Sequence, residues 1–427
     1  MSILDVLPVE AQGRAEDLPA ALRTDASVEA VVRPRTAEEV ADVLRWASLE
    51  RVRVVPIGTG RHLPRVRTQE PCVVLSVAGM AGIELYEPAD LTFTAAAGTT
   101  LGFLATELAR HRQWLPFDPP GADERSLGGL VAAGLGGPLG SGWYGDLRNH
   151  VLGATAVFGD GRVVRLGGRV VKNVAGFDLL RPLVGSQGSL AVMTSVCMRV
   201  FPVPETDRVL VLRGAALAAL ADAARTVAAA SILPASALLV SGSELLDGAG
   251  LVLRLQGARP AVDADQRVFE RLVGAACESV EGDAAGHLAG ALRDLARDWE
   301  GVGILTVLPD RIGPAIAALV RIVGAVPSMM ADPLAGRIRF ALGAGDVPAL
   351  DRLRRAVEEL DGSLGVERLP RIDGPGRTEL AEAVDRAVSV PSAAERTLTE
   401  RVRSVYDPGG VLGCGAGHAP AAVEASA

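Results

Sequence analysis

Four glycine-rich segments in the first half of the chain could bring backbone N–H groups against a bound anion. The first reads "PIGTGRH" from Pro56 to His62 and directly follows an apolar, strand-like run. Consecutive N–H groups at such a turn form a concavity that suits a pyrophosphate, and Arg61 adds a positive charge. The segment lacks the G-x-G-x-x-G spacing of a Rossmann site and the G-K-[ST] of a P-loop, so an ordinary tight turn is the alternative.

The other three segments combine glycine with small or polar residues. "PGADERSLGGLVAAGLGG" (Pro120 to Gly137) predicts a helix of small residues. Such a helix could approach a flat ligand closely or, alternatively, pack tightly against a neighbouring sheet. "GWYGDL" runs from Gly142 to Leu147, and "VVKNVAGFDLLRPLVGSQGSL" from Val170 to Leu190. In the last segment Lys172 and Asp178 stand among apolar residues. We expect them to satisfy backbone groups of an irregular buried crossing rather than to catalyse a reaction.

Composition and charge exclude several classes of function. The formal charge is −8 and no Lys/Arg cluster stands out, which excludes a nucleic-acid partner. No C-x-x-C motif occurs, so the sequence predicts no metal site and no iron–sulfur cluster. The isolated cysteines are interpreted as small buried hydrophobes: Cys72, Cys197, Cys277 and Cys414. No secretory signal and no spanning segment of ~20 apolar residues is recognisable. We expect a cytoplasmic protein, with any membrane association made through partners.

The order of predicted elements divides the 427 residues into two main domains. The proline pair at Pro202 and Pro204 marks the boundary between them. Before it, strands and helices alternate in two small α/β subdomains. After it, strand–helix–strand repeats predict a ferredoxin-like α+β domain. The expected division is an N-terminal extension at 1–25, a first domain at 26–204, a second at 205–400, a segment at 401–416 that returns to the first domain, and a disordered tail at 417–427.

The motifs of the first domain resemble those of a known flavoprotein family. "PIGTG", "SLGGLVAAGLGGP" and "KNVAGFDLLRPLVGSQGSLAVMT" follow one another as in the PCMH-type flavin-binding domain of the vanillyl-alcohol oxidase family. Within that family they are most similar to the FAD-binding subunits of bacterial glycolate oxidases. The resemblance covers Ala26 to Pro204 well. After Glu205 only the order of elements and the closing "YDPGGVLG" carry it.

The resemblance implies an α+β fold, with a PCMH-type FAD-binding domain and a ferredoxin-like cap, and FAD bound non-covalently. The residues it assigns to the cofactor are Pro56, Ile57, Gly58, Thr59, Gly60, Arg61, His62, Pro120, Ser126, Leu127, Gly128, Gly129, Ala133, Gly134, Gly136, Gln187, Gly188, Ser189, Leu190 and Val192. Three positions depart from the family pattern. Thr59 replaces a glycine, Arg61 replaces a hydroxyl residue or the histidine of covalently flavinylated members, and Gln187 replaces a common glutamate.

No catalytic group is identifiable from the sequence. Related enzymes that oxidise 2-hydroxy acids carry an H-x-G-D-G-N-x-H type motif, and none of the histidines here lies in one: His62, His111, His150, His287 and His418. Arg254 and Arg339 lie in predicted strands of the second domain. Each could bind a carboxylate bidentately, although we expect such strand positions to face solvent.

The resemblance therefore implies the FAD-binding subunit of a glycolate (2-hydroxy acid) oxidase complex. Its expected partners are a related flavoprotein subunit that carries the catalytic histidines and an iron–sulfur subunit. Two alternatives stay open. One is a self-sufficient FAD-dependent dehydrogenase or oxidase that uses Tyr144 or His150 as its base. The other is a flavin-free scaffold, which the changes at Thr59 and Arg61 would suit.

Overall fold

The first half of the chain is built on two main β-sheets. The computed structural model describes residues 26–60, 68–168, 178–323, 328–370, 382–384, 386–388 and 392–413. Three parallel strands form the first sheet in the order β1-β3-β2: β1 (Ala26–Val32), β2 (Arg53–Ile57) and β3 (Thr68–Ser76). Helix α1 (Ala37–Glu50) makes the crossover from β1 to β2, and the hydroxyl of Thr36 caps it by accepting the N–H of Glu39 at 3.1 Å.

The second sheet is antiparallel and holds five strands in the order β4-β5-β9-β7-β8. Its strands are β4 (Ile83–Glu87), β5 (Thr92–Ala96), β7 (Val151–Phe158), β8 (Val163–Gly167) and β9 (Ala191–Arg199). Short strands β6 (Gln113–Trp114) and β10 (Phe201–Pro202) pair beside it. Helices α2 (Leu101–Ala109) and α3 (Leu127–Ala133) follow β5. One apolar core joins both sheets and the three helices, which makes this half one packed body.

The second half contains a single sheet of eight strands, all paired antiparallel, in the order β14-β11-β13-β12-β16-β17-β15-β18. The strands are β11 (Thr206–Arg213), β12 (Ser236–Ser243), β13 (Gly248–Gly257), β14 (Glu278–Glu281), β15 (Gly301–Thr306), β16 (Met329–Asp332), β17 (Arg337–Leu342) and β18 (Ser363–Arg368). The helices are α4 (Leu217–Ala228), α5 (Arg259–Val273), α6 (Asp283–Asp294), α7 (Ile312–Val323) and α8 (Leu350–Glu358).

This sheet is two ferredoxin-like units placed side by side. The first unit runs β11-α4-β12-β13-α5-β14 and the second β15-α7-β16-β17-α8-β18. Each follows the β-α-β-β-α-β order that the sequence predicts, and the two join through the pairing of β12 with β16. The sequence predicts one such domain, whereas the structure has two copies of the motif in one continuous sheet.

The two faces of the eight-stranded sheet have different surroundings. Helices α4, α5, α7 and α8 cover one face with a large apolar core. Along β17, Ile338 and Phe340 point into this core, so Arg337 and Arg339 lie on the opposite face. Helix α6 covers another part of that opposite face with a smaller apolar cluster. The sheet therefore places charged side chains of β17 away from its main core.

The end of the described chain returns to the first half. Helix α9 (Ala393–Tyr406) leads into it, and the hydroxyl of Tyr406 donates to the carbonyl of Leu179 at 2.9 Å. Beyond it, the N–H of Val54 in β2 donates to the carbonyl of Val411 at 2.9 Å. The carboxylate of Asp407, only 2% exposed, accepts the N–H groups of Val411 at 2.9 Å and of Leu412 at 2.8 Å. Asp407 thus holds this segment in shape against β2.

Another carboxyl, that of Asp118, holds the turn that follows α3. It accepts the N–H of Leu139 at 2.9 Å, while its own N–H donates to the carbonyl of Gly136 at 3.0 Å. Burial raises the pKa of Asp118 to about 7, although the bond from Leu139 and the charge of Arg254 favour its ionised form. Asp118 is therefore a carboxyl that the folded protein keeps partly protonated near neutral pH.

No helix in the part of the chain that the structure describes is long and apolar enough to cross a membrane. The expected extension at 1–25 and the expected tail at 417–427 both lie outside the described residues.

Replacing Asp407 by alanine is expected to lower the free energy of unfolding by about 2–3 kcal/mol, because two buried N–H groups lose a charged acceptor. Urea titration followed by fluorescence measures this change. Asp310→Ala, which removes a carboxylate that is 68% exposed, is the matched control and should change stability little. Equal stability of the two variants would contradict the role given to Asp407.

Replacing Asp118 by asparagine is expected to stabilise the protein at pH 8 and not at pH 4. The pKa of Asp118 is about 7 in the folded chain and about 4 when unfolded. The parent therefore loses stability as the pH rises from about 4 to about 7, and the variant does not. The difference in unfolding free energy at pH 8 should be about 1–3 kcal/mol. Asp222→Asn, at a carboxyl that is 79% exposed, should give no such pH-dependent difference.

Candidate functional site

A cleft of about 540 Å³ lies where three of the glycine-rich segments meet. The turn after β2, helix α3 and the segment that leads into β9 each contribute to its wall. The lining residues are Pro56, Ile57, Gly58, Val77, Gly128, Gly129, Ala132, Ala133, Gln187, Gly188, Ala191, Val192 and Met193. Segments that are far apart in the sequence thus form one concave surface.

Helix α3 forms the floor of the cleft and begins directly against the end of β5. The N–H groups of Leu127 and Gly128 donate to the carbonyls of Thr99 and Ala97, at 2.8 and 2.7 Å. A Cβ at Gly128 would lie 2.8 Å from the Cβ of Ala97, so only glycine allows this approach. The hydroxyl of Ser126 caps the helix by accepting the N–H of Gly129 at 3.3 Å. The first amides of α3 are therefore used within the protein.

The segment before β9 is bonded to the end of α3. The N–H of Gly185 donates to the carbonyl of Val131 at 3.0 Å, and that of Gln187 to the carbonyl of Ala132 at 2.7 Å. Gln187 adopts a left-handed conformation with φ of 54°, as does Gly188 with φ of 75°. These bonds hold the "GSQGSL" turn rigidly beside the helix, and the turn is part of the wall of the cleft.

The turn after β2 is equally constrained. A Cβ at Gly58 would lie 1.9 Å from the hydroxyl oxygen of Ser126, so the strand end reaches the helix cap only because position 58 lacks a side chain. A Cβ at Gly188 would lie 3.1 Å from Cγ of Pro56, which closes the third contact of the cleft. The three segments therefore touch one another pairwise, through positions where glycine is needed.

The residues that the sequence assigns to a cofactor divide into three groups. Nine of them line the cleft: Pro56, Ile57, Gly58, Gly128, Gly129, Ala133, Gln187, Gly188 and Val192. Nine do not line it: Thr59, Gly60, Pro120, Ser126, Leu127, Gly134, Gly136, Ser189 and Leu190. Among the latter, Leu127 and Leu190 are core residues and Ser126 caps α3. Arg61 and His62 lie outside the described residues.

Sequence reasoning missed one part of the wall. Val77 lines the cleft from a short 3₁₀ turn (Val77–Gly79) that follows β3. Nothing in the run "SVAGM" marks it as a binding segment. Ala132 lines the cleft as well, where the sequence suggested only a small residue on a packed helix.

The composition of the wall fits a large planar cofactor. Among the residues that the structure describes, every one that lines the cleft is uncharged, and Gln187 alone has a polar side chain. Seven lining positions are glycine or alanine, so a flat ring could approach the backbone closely: Gly58, Gly128, Gly129, Ala132, Ala133, Gly188 and Ala191.

The remaining glycine-rich segment and the polar residues that begin the fourth have structural roles where they are described. Gly142 lies against the second half of the chain, since a Cβ there would be 2.2 Å from the carbonyl oxygen of Ala235. Asp178 accepts the N–H groups of Leu180 and Arg181, both at 3.1 Å, which is the backbone role that the sequence predicts. Lys172 lies outside the described residues.

Tyr144 and His150, the candidate bases, contact each other rather than the cleft. Nε2 of His150 lies 2.6 Å from the carbonyl oxygen of Tyr144, and the hydroxyl of Tyr144 donates to Oε1 of Gln256 at 3.0 Å. Burial raises the pKa of Tyr144 and lowers that of His150. Both rings pack on Phe201. The structure therefore gives both residues a place in an aromatic cluster between the halves.

The interpretation that Arg254 and Arg339 face solvent is wrong. Arg254 makes a bidentate contact with Asp207, at 2.8 and 2.5 Å, and its side chain is 11% exposed. Arg339 donates to Glu367 at 2.9 Å and is 9% exposed. Both lie on the sheet face opposite the main core. Because a buried guanidinium is costly without a partner, each is paired with a carboxylate of the same sheet.

The described residues hold no group of three or more histidine, cysteine or acidic side chains that could bind a metal ion. Cys72 and Cys197 are buried, in agreement with their prediction as small hydrophobes, while Cys277 is partly exposed. Cys414 lies outside the described part of the chain.

Comparisons with known proteins agree with this geometry. A family model described as an FAD binding domain matches residues 28–167. Glycolate oxidase subunit GlcE of Escherichia coli K12 is 40% identical over 196 residues, which cover 46% of this chain and 53% of that protein. D-lactate dehydrogenase of Archaeoglobus fulgidus is 36% identical over 204 residues, covering 47% and 45%. The chain thus spans about half the length of the curated relatives it matches.

Among solved structures, p-cresol methylhydroxylase superposes with a TM-score of 0.70 at 16% identity. The match covers 92% of this chain and 89% of that one, so the fold likeness extends across both halves. Residues 28–167 therefore belong to an FAD binding domain, and the chain as a whole has the fold of the PCMH-type FAD-binding oxidases.

Proposed function

We propose that this chain is the FAD-binding subunit of a glycolate (2-hydroxy acid) oxidase or dehydrogenase complex. The observation that carries the proposal is the uncharged cleft in which the segments after β2, along α3 and before β9 meet. The relatives that match by sequence include a glycolate oxidase subunit and a D-lactate dehydrogenase, and both of their names refer to 2-hydroxy acids. The match to an FAD binding domain suggests the cofactor, and the names of these relatives suggest the substrate class.

The wall of the cleft indicates how FAD would be held. Gly129, Ala132 and Ala133 form a smooth face of α3 for a planar ring, and the backbone from Gln187 to Met193 borders it. The turn from Pro56 to Gly60 follows a strand and contains two glycines, so its backbone N–H groups are suited to bind the pyrophosphate. Bound FAD supplies the two-electron acceptor for the reaction.

Non-covalent binding is part of the proposal. A covalent link to a flavin needs a nucleophilic side chain such as histidine, cysteine or tyrosine. Within the described part of the chain, no residue that lines the cleft is of these types. The protein would instead hold the cofactor by contact with backbone and small side chains over a large area.

The assignment as a subunit, rather than a complete enzyme, rests on the missing base. Oxidation of a 2-hydroxy acid requires a group that accepts the hydroxyl proton. Within the described residues, the cleft lining has no titratable side chain, and the candidate bases Tyr144 and His150 are engaged with each other and with Gln256. We infer that a related flavoprotein subunit supplies that base and that an iron–sulfur subunit carries electrons onward.

The cleft is tested by filling it. Ala133→Leu adds three carbons to the wall and is expected to lower FAD content at least roughly tenfold, because the planar ring can no longer lie against α3. FAD per chain is measured by the visible absorption of the purified protein. Ala219→Leu, at an exposed position of α4, is the matched control and should leave FAD content unchanged. Full FAD content in Ala133→Leu would contradict the placement.

Anaerobic addition of glycolate tests the activity. We expect the flavin absorption of the chain alone to stay unchanged and to bleach when the partner subunits are added. Bleaching of the isolated chain would instead establish a self-sufficient dehydrogenase. A purified chain that neither carries nor takes up FAD would establish the flavin-free scaffold.

A further inference from the structure

We propose that a C-terminal clasp, residues 406–412, holds two walls of the cofactor cleft in the positions that FAD binding needs. Tyr406 and Asp407 are then positioning residues, because neither is among the described residues that line the cleft. The inference deepens the proposed function at its cofactor site, and it rests on that function only for the binding of FAD.

The clasp is buried although the helix that leads into it is not. Of the fourteen residues of α9, all of which the structure describes, only Tyr406 is buried. In the segment that follows, Asp407, Val411 and Leu412 are buried as well. The side chains of Tyr406, Val411 and Leu412 belong to the apolar core of the first half. Burial of these apolar groups favours the attachment of the clasp to the first half.

The C-terminal end of the clasp covers one edge of β2. This strand lies at the edge of the three-stranded sheet, where it pairs with β3. On its other side the N–H of Val54 donates to the carbonyl of Val411 at 2.9 Å, and Leu412 forms a parallel bridge with Val54. The guanidinium of Arg53 donates to the carbonyl of Gly410 at 2.9 Å. Since an edge strand is otherwise held from one side only, the clasp fixes β2 immediately before the turn that lines the cleft.

The N-terminal end of the clasp holds the segment that precedes β9. The hydroxyl of Tyr406 donates to the carbonyl of Leu179 at 2.9 Å. From there a run of tight turns leads to the cleft. The N–H of Leu183 donates to the carbonyl of Leu180 at 3.0 Å, and that of Ser186 to the carbonyl of Leu183 at 3.3 Å. Because each turn is bonded to the one before it, a displacement of Leu179 would reach the "GSQGSL" turn in the wall of the cleft.

Asp407 connects the two ends of the clasp. Its carboxylate accepts the N–H groups of Val411 and Leu412, at 2.9 and 2.8 Å, which turns the chain back toward Tyr406. The turn between β7 and β8 packs directly on it, since a Cβ at Gly159 would collide with Oδ1 of Asp407. The N–H of Gly159 also donates to the carbonyl of Tyr406 at 2.8 Å. These contacts fix Tyr406 and Leu412 relative to each other, so the two walls that they hold are coupled.

FAD would contact both of these walls at once, because residues of the turn after β2 and of the segment before β9 line the same cleft. Binding to walls that are free to move would cost the entropy of fixing them. A closed clasp meets that cost before the cofactor arrives. An open clasp would release the edge of β2 and the carbonyl of Leu179, and FAD would then bind more weakly.

Tyr406→Phe tests the clasp by removing one hydroxyl while keeping the ring. We expect the Kd for FAD, measured by flavin fluorescence on the chain freed of cofactor, to rise about threefold to tenfold, as for the loss of one hydrogen bond. Tyr86→Phe is the matched control, because its hydroxyl donates to Oε1 of Gln113 at 2.8 Å and neither residue lines the cleft. It should bind FAD as the parent does.

Stability separates a positioning role from a purely structural one. Each of the two variants loses one hydroxyl hydrogen bond, so urea unfolding of the flavin-free chains should change alike in both. Only the Kd for FAD should distinguish them. Equal FAD affinity in Tyr406→Phe and the parent would overturn the proposal.

Hydrogen exchange on the unmodified chain tests the same coupling without a variant. If the open clasp cannot hold FAD, free FAD at about 100 times its Kd should slow exchange of the amides of Val411 and Leu412 by up to about a hundredfold. The amide of Glu359, which donates to the carbonyl of Arg355 at the end of α8, should exchange equally with and without FAD. Peptide mass spectrometry measures both regions. Exchange in the clasp that does not respond to FAD would contradict the coupling.

The outcomes distinguish this inference from the proposed function. Unchanged FAD affinity in Tyr406→Phe would remove the role of the clasp and leave the glycolate assignment standing. Bound flavin that glycolate does not reduce even with the partner subunits would remove that assignment and leave the clasp standing. A parent chain that takes up no FAD would overturn both.

Discussion

The close contact between the start of α3 and the end of β5 is the interaction on which the rest of the site depends. Two backbone hydrogen bonds, from Leu127 to Thr99 and from Gly128 to Ala97, fix the helix against the sheet. They form only because Gly128 has no side chain to meet Ala97. Once α3 is placed, its last carbonyls receive the N–H groups of Gly185 and Gln187, and its cap lies against Gly58. The cleft is the space that these contacts leave.

This construction explains why the candidate cofactor site carries so little side-chain chemistry. Glycine and alanine bring three backbones together, and the lining has no charge. A cofactor recognised by shape and backbone does not need charged residues, which would be costly to bury unpaired.

The eight-stranded sheet differs from the cleft in its side-chain chemistry. Two ferredoxin-like units share one sheet, so a long face is available beside the first half without an intervening edge. Strand alternation puts apolar residues of β17 into the core and its arginines on the other face. Arg254 and Arg339 are neutralised there by carboxylates of the same sheet, Asp207 and Glu367. The junction of the two halves therefore carries polar and charged side chains. The described lining of the neighbouring cleft carries no charged side chain.

Turn chemistry and hydrophobic periodicity are local properties, and for that reason the sequence alone predicts the glycine-rich segments and the ferredoxin-like order of elements. Of the eighteen cofactor candidates that the structure describes, nine line the cleft. A motif indicates which segment approaches a ligand, but it does not indicate which way each side chain points. In the folded chain Ser126 and Leu127 support the cleft without lining it, and Val77 forms part of its wall. These placements cannot be read from the sequence. The ion pairs of Arg254 and Arg339 and the doubling of the ferredoxin-like unit are likewise visible only in the folded chain. Each depends on contacts between residues distant in the chain, and no local pattern encodes which partners meet.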